Sequence, residues 1–262
     1  MILILAIIFF VFGLIIGSFL NVVILRFNTE RSFGGRSGCM SCMNRLTWYE
    51  LIPVFSFLGL KGRCKNCKAR ISIQYPIVEF ISGVFFAAIF LKFQNIFFAN
   101  TLVFSFTYAY YVTAFSLLLV IAVYDLRHKI IPDTMSLSLG IFTFLGLFFF
   151  NFDGYFSFYP HVPSLLEFLS GPLIALPFAL FWLVSKGRWM GLGDAKLVIS
   201  LGWLLGLSVA ISGVIVAVWI GAIFGVFLII LSKKHGMKSE IPFAPYLVLG
   251  TFLAFLFELH IF

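Results

Sequence analysis

Residues Met1–Leu25, MILILAIIFFVFGLIIGSFLNVVIL, contain no charged side chain, and the first arginine follows directly at position 26. An α-helix rises about 1.5 Å per residue, and roughly 20 mostly apolar residues cross the hydrocarbon core of a bilayer. The stretch therefore has the length of a spanning helix. It lacks the basic flank of a secretory signal and outruns the apolar core of one, so it reads as a retained first span with its N-terminus outside. The rest of the chain has the same character. Of 262 residues, 62% are hydrophobic and 11% are charged, and the mean hydropathy is +1.11. A soluble protein carries about 25% charged residues, and water would not tolerate this much apolar surface. The composition excludes a soluble domain and predicts an all-α polytopic membrane protein.

Further apolar stretches predict helices over 74–92, 101–124, 131–150, 165–185, 190–206, 209–231 and 242–262, making about eight spans with the first. Positions 197–232 carry no charge. About 36 residues are too many for one crossing, and Gly202 to Ser208 offers a place to turn. The predicted organisation is a first helix over 1–25, a polar segment over 26–73, and a membrane-embedded core of about seven helices over 74–262. On this topology 17 of the 18 basic residues fall on one side, with only Lys92 opposite. Positive charge stays in the cytoplasm, so that side is the cytosol and both termini lie outside. The net charge of +8 is explained by basic juxtamembrane loops facing anionic lipid, and no nucleic-acid partner is expected.

All four cysteines lie in the polar segment, as Cys39-Met-Ser-Cys42 and Cys64-Lys-Asn-Cys67. Two C-x₂-C pairs separated by 21 residues approach the spacing of a tetrahedral four-cysteine zinc site. Each pair presents two thiolates from one tight turn. A short polar segment has little core of its own, so a metal would help it fold, and the cytosol disfavours structural disulfides. The bland alternatives are unligated thiols or a redox pair. A zinc with four thiolate ligands has no open position and is structural. The chain has no His-Glu-x-x-His sequence, so zinc hydrolysis is not expected.

Ten acidic residues are few enough to consider singly. Glu30, Glu50 and Glu240 sit in polar loops, while Asp153, Glu167 and Glu258 lie near the outer face. Glu79, Asp125, Asp133 and Asp194 remain, all at or just inside the cytoplasmic boundary. A carboxylate there is costly unless it is neutral, paired or open to a water-filled cavity. Asp125 ends the third predicted span, and Asp194 opens the sixth within Met190-Gly-Leu-Gly193-Asp194-Ala-Lys196. Two carboxylates from different helices at one depth can share a proton, activate a water and donate to a carbonyl. Gly191 and Gly193 would let a peptide backbone approach. Taken alone, Asp194 also suits a helix N-cap, and Asp125 suits pairing with Arg127 or Lys129.

At this point the chain resembles the bacterial type IV prepilin leader peptidases, polytopic aspartic peptidases whose second aspartate lies in Gly-x-Gly-Asp. The resemblance rests on six segments in order: Gly17–Arg26; Leu46–Pro53 between the cysteine pairs; Tyr75–Glu79; Tyr124–Asp133; Gly191–Leu197; and Ile241–Leu247. It implies Asp125 and Asp194 as the catalytic pair and Cys39, Cys42, Cys64 and Cys67 as zinc ligands. Asp133 is the rival for the first role, or else a cap for the fourth helix. Two positions depart from the pattern, Met40 where proline is frequent and Ala244 where glycine is usual, and neither is expected to touch the catalytic pair. The resemblance implies prepilin or pseudopilin precursors as substrates, cut after a glycine that follows a short basic leader, at the cytoplasmic face of the bacterial inner membrane. Such a leader would meet a segment holding nine Lys/Arg, a repulsion that anionic lipid would screen. It also implies N-methylation of the new terminus with S-adenosylmethionine, although the sequence has no Gly-x-Gly-x-x-Gly turn and assigns no residue to that donor. Glu79 is open to either step, or to pairing with a basic neighbour.

Two other readings account for part of the sequence. A proton- or cation-coupled transporter would use Asp125, Asp194 and Glu79 as intramembrane acids, but leaves the cysteine pairs unexplained and shows no internal repeat. A membrane-anchored zinc module would bind a partner through 26–73, with the helices as scaffold.

Overall fold

The computed structural model describes residues 1–30, 32–151, 157–188, 190–231 and 242–260. Its helices are α1 (Ile2–Arg26), α2 (Phe55–Gly59), α3 (Gln74–Lys92), α4 (Gln94–Ala99), α5 (Thr101–His128), α6 (Asp133–Gly146), α7 (Leu165–Ser185), α8 (Leu192–Leu205), α9 (Leu207–Leu231) and α10 (Ala244–Phe257), with a 3₁₀ turn at Trp48–Leu51. The chain forms two compact units, Met1–Gln94 and Asn95–Phe262.

In the first unit, α1 and α3 run antiparallel. Gly13 lies against Gly83 and Phe86, Gly17 against Glu79 and Ser82, and the Asn21 Nδ2 donates to the Tyr75 carbonyl at 3.1 Å. Gly13 and Gly17 are four apart and share one helix face, the spacing that lets two apolar helices bring their backbones together. A Cβ added at Gly17 would sit 2.7 Å from the Glu79 Cα. Rings close the seam further along, with Phe9 stacked on Phe90 at 4.5 Å. The opposite face of α1 leaves Ile4, Ile7, Ile8, Val11 and Ile15 exposed, as a lipid-facing surface should.

In the second unit, α5 is the buried axis. Asn100 caps its start by accepting from the Leu102 and Val103 amides. Tyr111, Ala114, Phe115, Leu118 and Ile121 are fully buried, at the three- and four-residue spacing of one helix face. Phe115 meets Phe252 and Phe255 of α10. The helix stops where Lys129 turns left-handed at φ 54°, its amide bonded to the Asp125 carbonyl at 2.7 Å. α7 and α8 cross at Gly171 and Gly202, where an added Cβ on Gly202 would stand 2.6 Å from the Gly171 Cα.

Helices occupy all eight predicted stretches, and the chain does turn between the sixth and seventh, at Gly206 with φ 75°. Among the described residues five helices, α1, α3, α5, α7 and α9, are long and apolar enough to cross a membrane. α6, α8 and α10 have 14 residues each, about 21 Å of rise against a core of about 30 Å. They are shorter than expected at both ends. Pro132 and Gly191 precede the starts of α6 and α8, and after Gly146 the chain leaves the helix for a bridge between Phe150 and Phe158. Arg31, Asp153, Lys233, Lys234, Lys238, Glu240 and Ile241 of the sequence reading lie outside the described residues.

The α1–α3 seam has no room for a side chain at position 17. Gly17→Leu is expected to lower stability by about 1–3 kcal/mol in thermal unfolding of the detergent-solubilised protein, whereas Ile15→Leu, on the exposed face, should stay within about 0.5 kcal/mol of wild type.

Candidate active site and metal centre

The polar segment of the first unit is built from two copies of one turn. In the first, the Cys39 amide bonds the Asn44 carbonyl and the Met43 amide bonds the Cys39 carbonyl. In the second, Cys64 bonds Ala69 and Lys68 bonds Cys64 in the same way. Each turn closes through a left-handed residue four positions after its first cysteine, Met43 at φ 57° and Lys68 at φ 59°. The turn forms with Met40 inside it, so the departure from proline there does not disturb it.

The four sulfurs lie within 4.8 Å of one another, and Cys39 and Cys67 are 3.7 Å apart. A tetrahedral zinc with Zn–S bonds of about 2.3 Å separates its sulfurs by about 3.8 Å, so the donor set and its dimensions fit that ion. The thiols are not equivalent. The Cys42 and Ser41 amides hold the Cys39 thiol down at about 6. At Cys67 the Ala69 amide lowers the thiol pKa, but burial and the three other thiols outweigh it and push it up to about 11. A cation entering the cluster replaces the protons that remain.

In the second unit, Asp125 occupies the last turn of α5 and is buried. Its Oδ2 accepts from the Ala244 amide at 3.3 Å, the first residue of α10. The Ala244 position does touch the pair, contrary to the sequence expectation, and does so through its backbone. Asp194 stands at the third position of α8, with Gly191 as the N-cap; it is not the cap itself. Its carboxylate accepts from the Gly191 amide and interacts electrostatically with Asp125. Two acids 69 positions apart in the sequence therefore feel each other's charge.

The rival acid is engaged elsewhere. Asp133 opens α6 one residue after its N-cap, Pro132, and is mostly exposed. Its Oδ1 takes the Lys196 ammonium at 2.7 Å, tying the start of α6 to α8. That bridge was not legible in the sequence, where Lys196 counted only as one more juxtamembrane cation. Nor is Gly193 open to a peptide, because an added Cβ there would stand 2.9 Å from the Ile131 Cβ. Its lack of a side chain lets α8 begin against the chain that precedes α6. Gly191 faces open space apart from its own helix turn.

Glu79 lies in the first unit, buried on α3. Instead of a basic neighbour it has the Val54 amide on its Oε2 at 2.7 Å and the Ser18 side chain.

Comparison with known proteins gives the family of the chain. The Bacterial Peptidase A24 N-terminal domain matches residues 11–93, and the Type IV leader peptidase family matches residues 112–230. The chain belongs to the type IV leader peptidase family and is a multi-pass membrane protein. Among its relatives, the prepilin leader peptidase/N-methyltransferase of Bacillus subtilis (strain 168) is 32% identical over 251 residues, covering 95% of this chain and 93% of the relative. The protein of the same description from Aeromonas salmonicida (strain A449) is 31% identical, covering 94% and 89%. That from Myxococcus xanthus (strain DK1622) is 32% identical, covering 90% and 66%. No solved structure matches the chain.

Replacing Cys39 and Cys64 together with serine removes one ligand from each turn. Bound zinc, measured by atomic emission on purified protein, is expected to fall from about one per chain to a small fraction of that, with faster proteolysis of the segment between α1 and α3.

Proposed function

We propose that this protein is an aspartic endopeptidase of the bacterial inner membrane that cleaves the short basic leader of type IV prepilins or pseudopilins at the cytoplasmic boundary. We further infer that it then methylates the new N-terminus with S-adenosylmethionine. The observation carrying the first step is the electrostatic interaction between Asp125 of α5 and Asp194 of α8, in a chain with few intramembrane charges.

The chemistry follows from that pairing. Two carboxylates held together resist ionising together, so they hold one proton between them. The ionised acid takes a proton from a water, which attacks the carbonyl carbon of the scissile bond. The protonated acid donates to the carbonyl oxygen, where charge develops. The Ala244 and Gly191 amides hold the two carboxylates in place. Because each acid lies at an end of its helix, the pair meets a substrate at the junction between a polar leader and an apolar helical segment. In this reading α6, α8 and α10 are short spans that bring the total to eight, and the basic loops face the cytosol and its anionic lipid.

Zinc held by the four cysteines would keep the 26–73 segment folded and take no part in hydrolysis. S-adenosylmethionine supplies a methyl group from a sulfonium, and its acceptor is a primary amine. Both partners carry positive charge at some stage, and carboxylate or carbonyl groups suit them.

Asp125→Asn and Asp194→Asn keep the shape of each side chain and remove its acid–base function. Each is expected to slow cleavage of a leader-bearing prepilin by a factor of about 10² to 10⁴ or more, read by gel mobility in reconstituted membranes, with zinc content unchanged. Wild-type cleavage by both variants would refute the peptidase assignment.

A further inference from the structure

Hydrolysis at Asp125 and Asp194 leaves one buried acid without a task. Glu79 is 7% exposed on α3, and among the described residues no basic side chain pairs with it. One turn of α1 beyond Gly17, which lies against Glu79, Asn21 is 1% exposed. The Asn21 Nδ2 is spent on the Tyr75 carbonyl at 3.1 Å, on the helix turn that leads from Tyr75 to Glu79. The Asn21 Oδ1 has no hydrogen-bond partner, and neither does the Ser82 Oγ, one turn further along α3. Gly17 brings the two helices into contact at this level, against both Glu79 and Ser82. The seam thus holds a carboxylate and a buried carbonyl oxygen that both accept hydrogen bonds, with no cation to satisfy them. A buried carboxylate and an unpaired acceptor each cost free energy, and such a pair persists where something of opposite character visits.

The single backbone donor on Glu79 comes from a strained segment. Val54 is β-branched and adopts φ 61° and ψ −51°, a combination rare for such a residue, with the Phe55 amide bonded to the Pro53 carbonyl at 2.6 Å. This is a γ-turn, which costs free energy wherever it is held. The Val54 amide fills a place on the carboxylate that a stronger, charged donor would take, and its release would relax the turn.

We propose that Glu79, with the Asn21 Oδ1, binds the α-ammonium group that leader cleavage creates, and acts as its base for methyl transfer. This inference rests on the bifunctional reading above. The Glu79 carboxylate accepts a hydrogen bond from the ammonium and then takes one of its protons. The freed nitrogen lone pair forms a bond to the methyl carbon as the carbon–sulfur bond breaks, and the electron pair of that bond passes to sulfur. The sulfonium becomes a neutral thioether, the nitrogen becomes a secondary ammonium, and the proton on Glu79 leaves to water.

The test uses the full chain in nanodiscs and two synthetic peptides that begin at the first residue after the cleavage point, one with a free α-amine and one N-acetylated. Binding is measured by fluorescence anisotropy without methyl donor. Wild type is expected to favour the free amine by about tenfold or more, the worth of a charge-assisted hydrogen bond. Glu79→Gln should erase that preference, leave the acetylated peptide unaffected and cut methylation at least about 100-fold, while precursor cleavage stays within about twofold of wild type. Asn21→Leu, which keeps Glu79, should reduce the preference in part, and decides the matter if Glu79→Gln loses its zinc or its fold. An amine preference that survives in both variants would overturn the proposal. So would equal loss of both peptides together with cleavage, which would make Glu79 a structural tie for Val54. A wild-type chain that cleaves without methylating would overturn the bifunctional reading instead, and the donor-free binding comparison would still decide whether Glu79 holds an amine.

Discussion

A carboxylate inside an apolar helical protein must find hydrogen-bond donors where water is scarce, and Glu79, Asp125 and Asp194, the first two buried and the third half-buried, find them in one kind of place. The first amides of an α-helix have no partner within it. Glu79 takes the amide of Val54, the N-cap of α2. Asp194 takes that of Gly191, the N-cap of α8, and Asp125 takes that of Ala244, the first residue of α10. Each pairing satisfies an acceptor and a donor that would otherwise both be costly. Glu79 and Asp125 are therefore placed by where another helix starts, and Asp194 by the start of its own.

Close helix contact makes those starts available. With no hydrophobic drive to separate helices from lipid, association depends on backbones meeting where side chains are absent. Gly17 against Glu79, Gly202 against Gly171 and Gly193 against Ile131 each mark such a meeting. The first sets the depth of the buried acid on α3, and the last brings the start of α8 to the end of the α5–α6 connection. Asp133 and Lys196 then bridge the same two elements at the surface. The glycines of the Gly-x-Gly-Asp stretch thus serve packing at one position and leave open space at the other.

The two units carry different kinds of order. The cysteine cluster depends on two short turns with the same hydrogen bonds and the same left-handed residue, so most of its geometry is local. The aspartate pair depends on helices distant in sequence, and its geometry belongs to the second unit as a whole. A disturbance at the start of α10 can reach Asp125 through one backbone amide, whereas the turn that carries Cys39 and Cys42 closes on its own hydrogen bonds with Met40 inside it.

The sequence by itself determined the helical class, the position of each apolar stretch, the break near Gly206 and the metal-binding spacing of the cysteines, because composition, periodicity and turn chemistry are local properties that lipid and tight turns enforce. It also narrowed the acids worth attention to four. Only the tertiary structure decided what each of these interacts with. Asp125 feels Asp194 while Asp133 is held by Lys196, Glu79 answers to Val54 and Ser18 and not to a base, and Ala244 reaches the pair through its amide. Those choices rest on distances between remote segments and on backbone donors, and a backbone amide looks the same at every position of a sequence until the fold aims it.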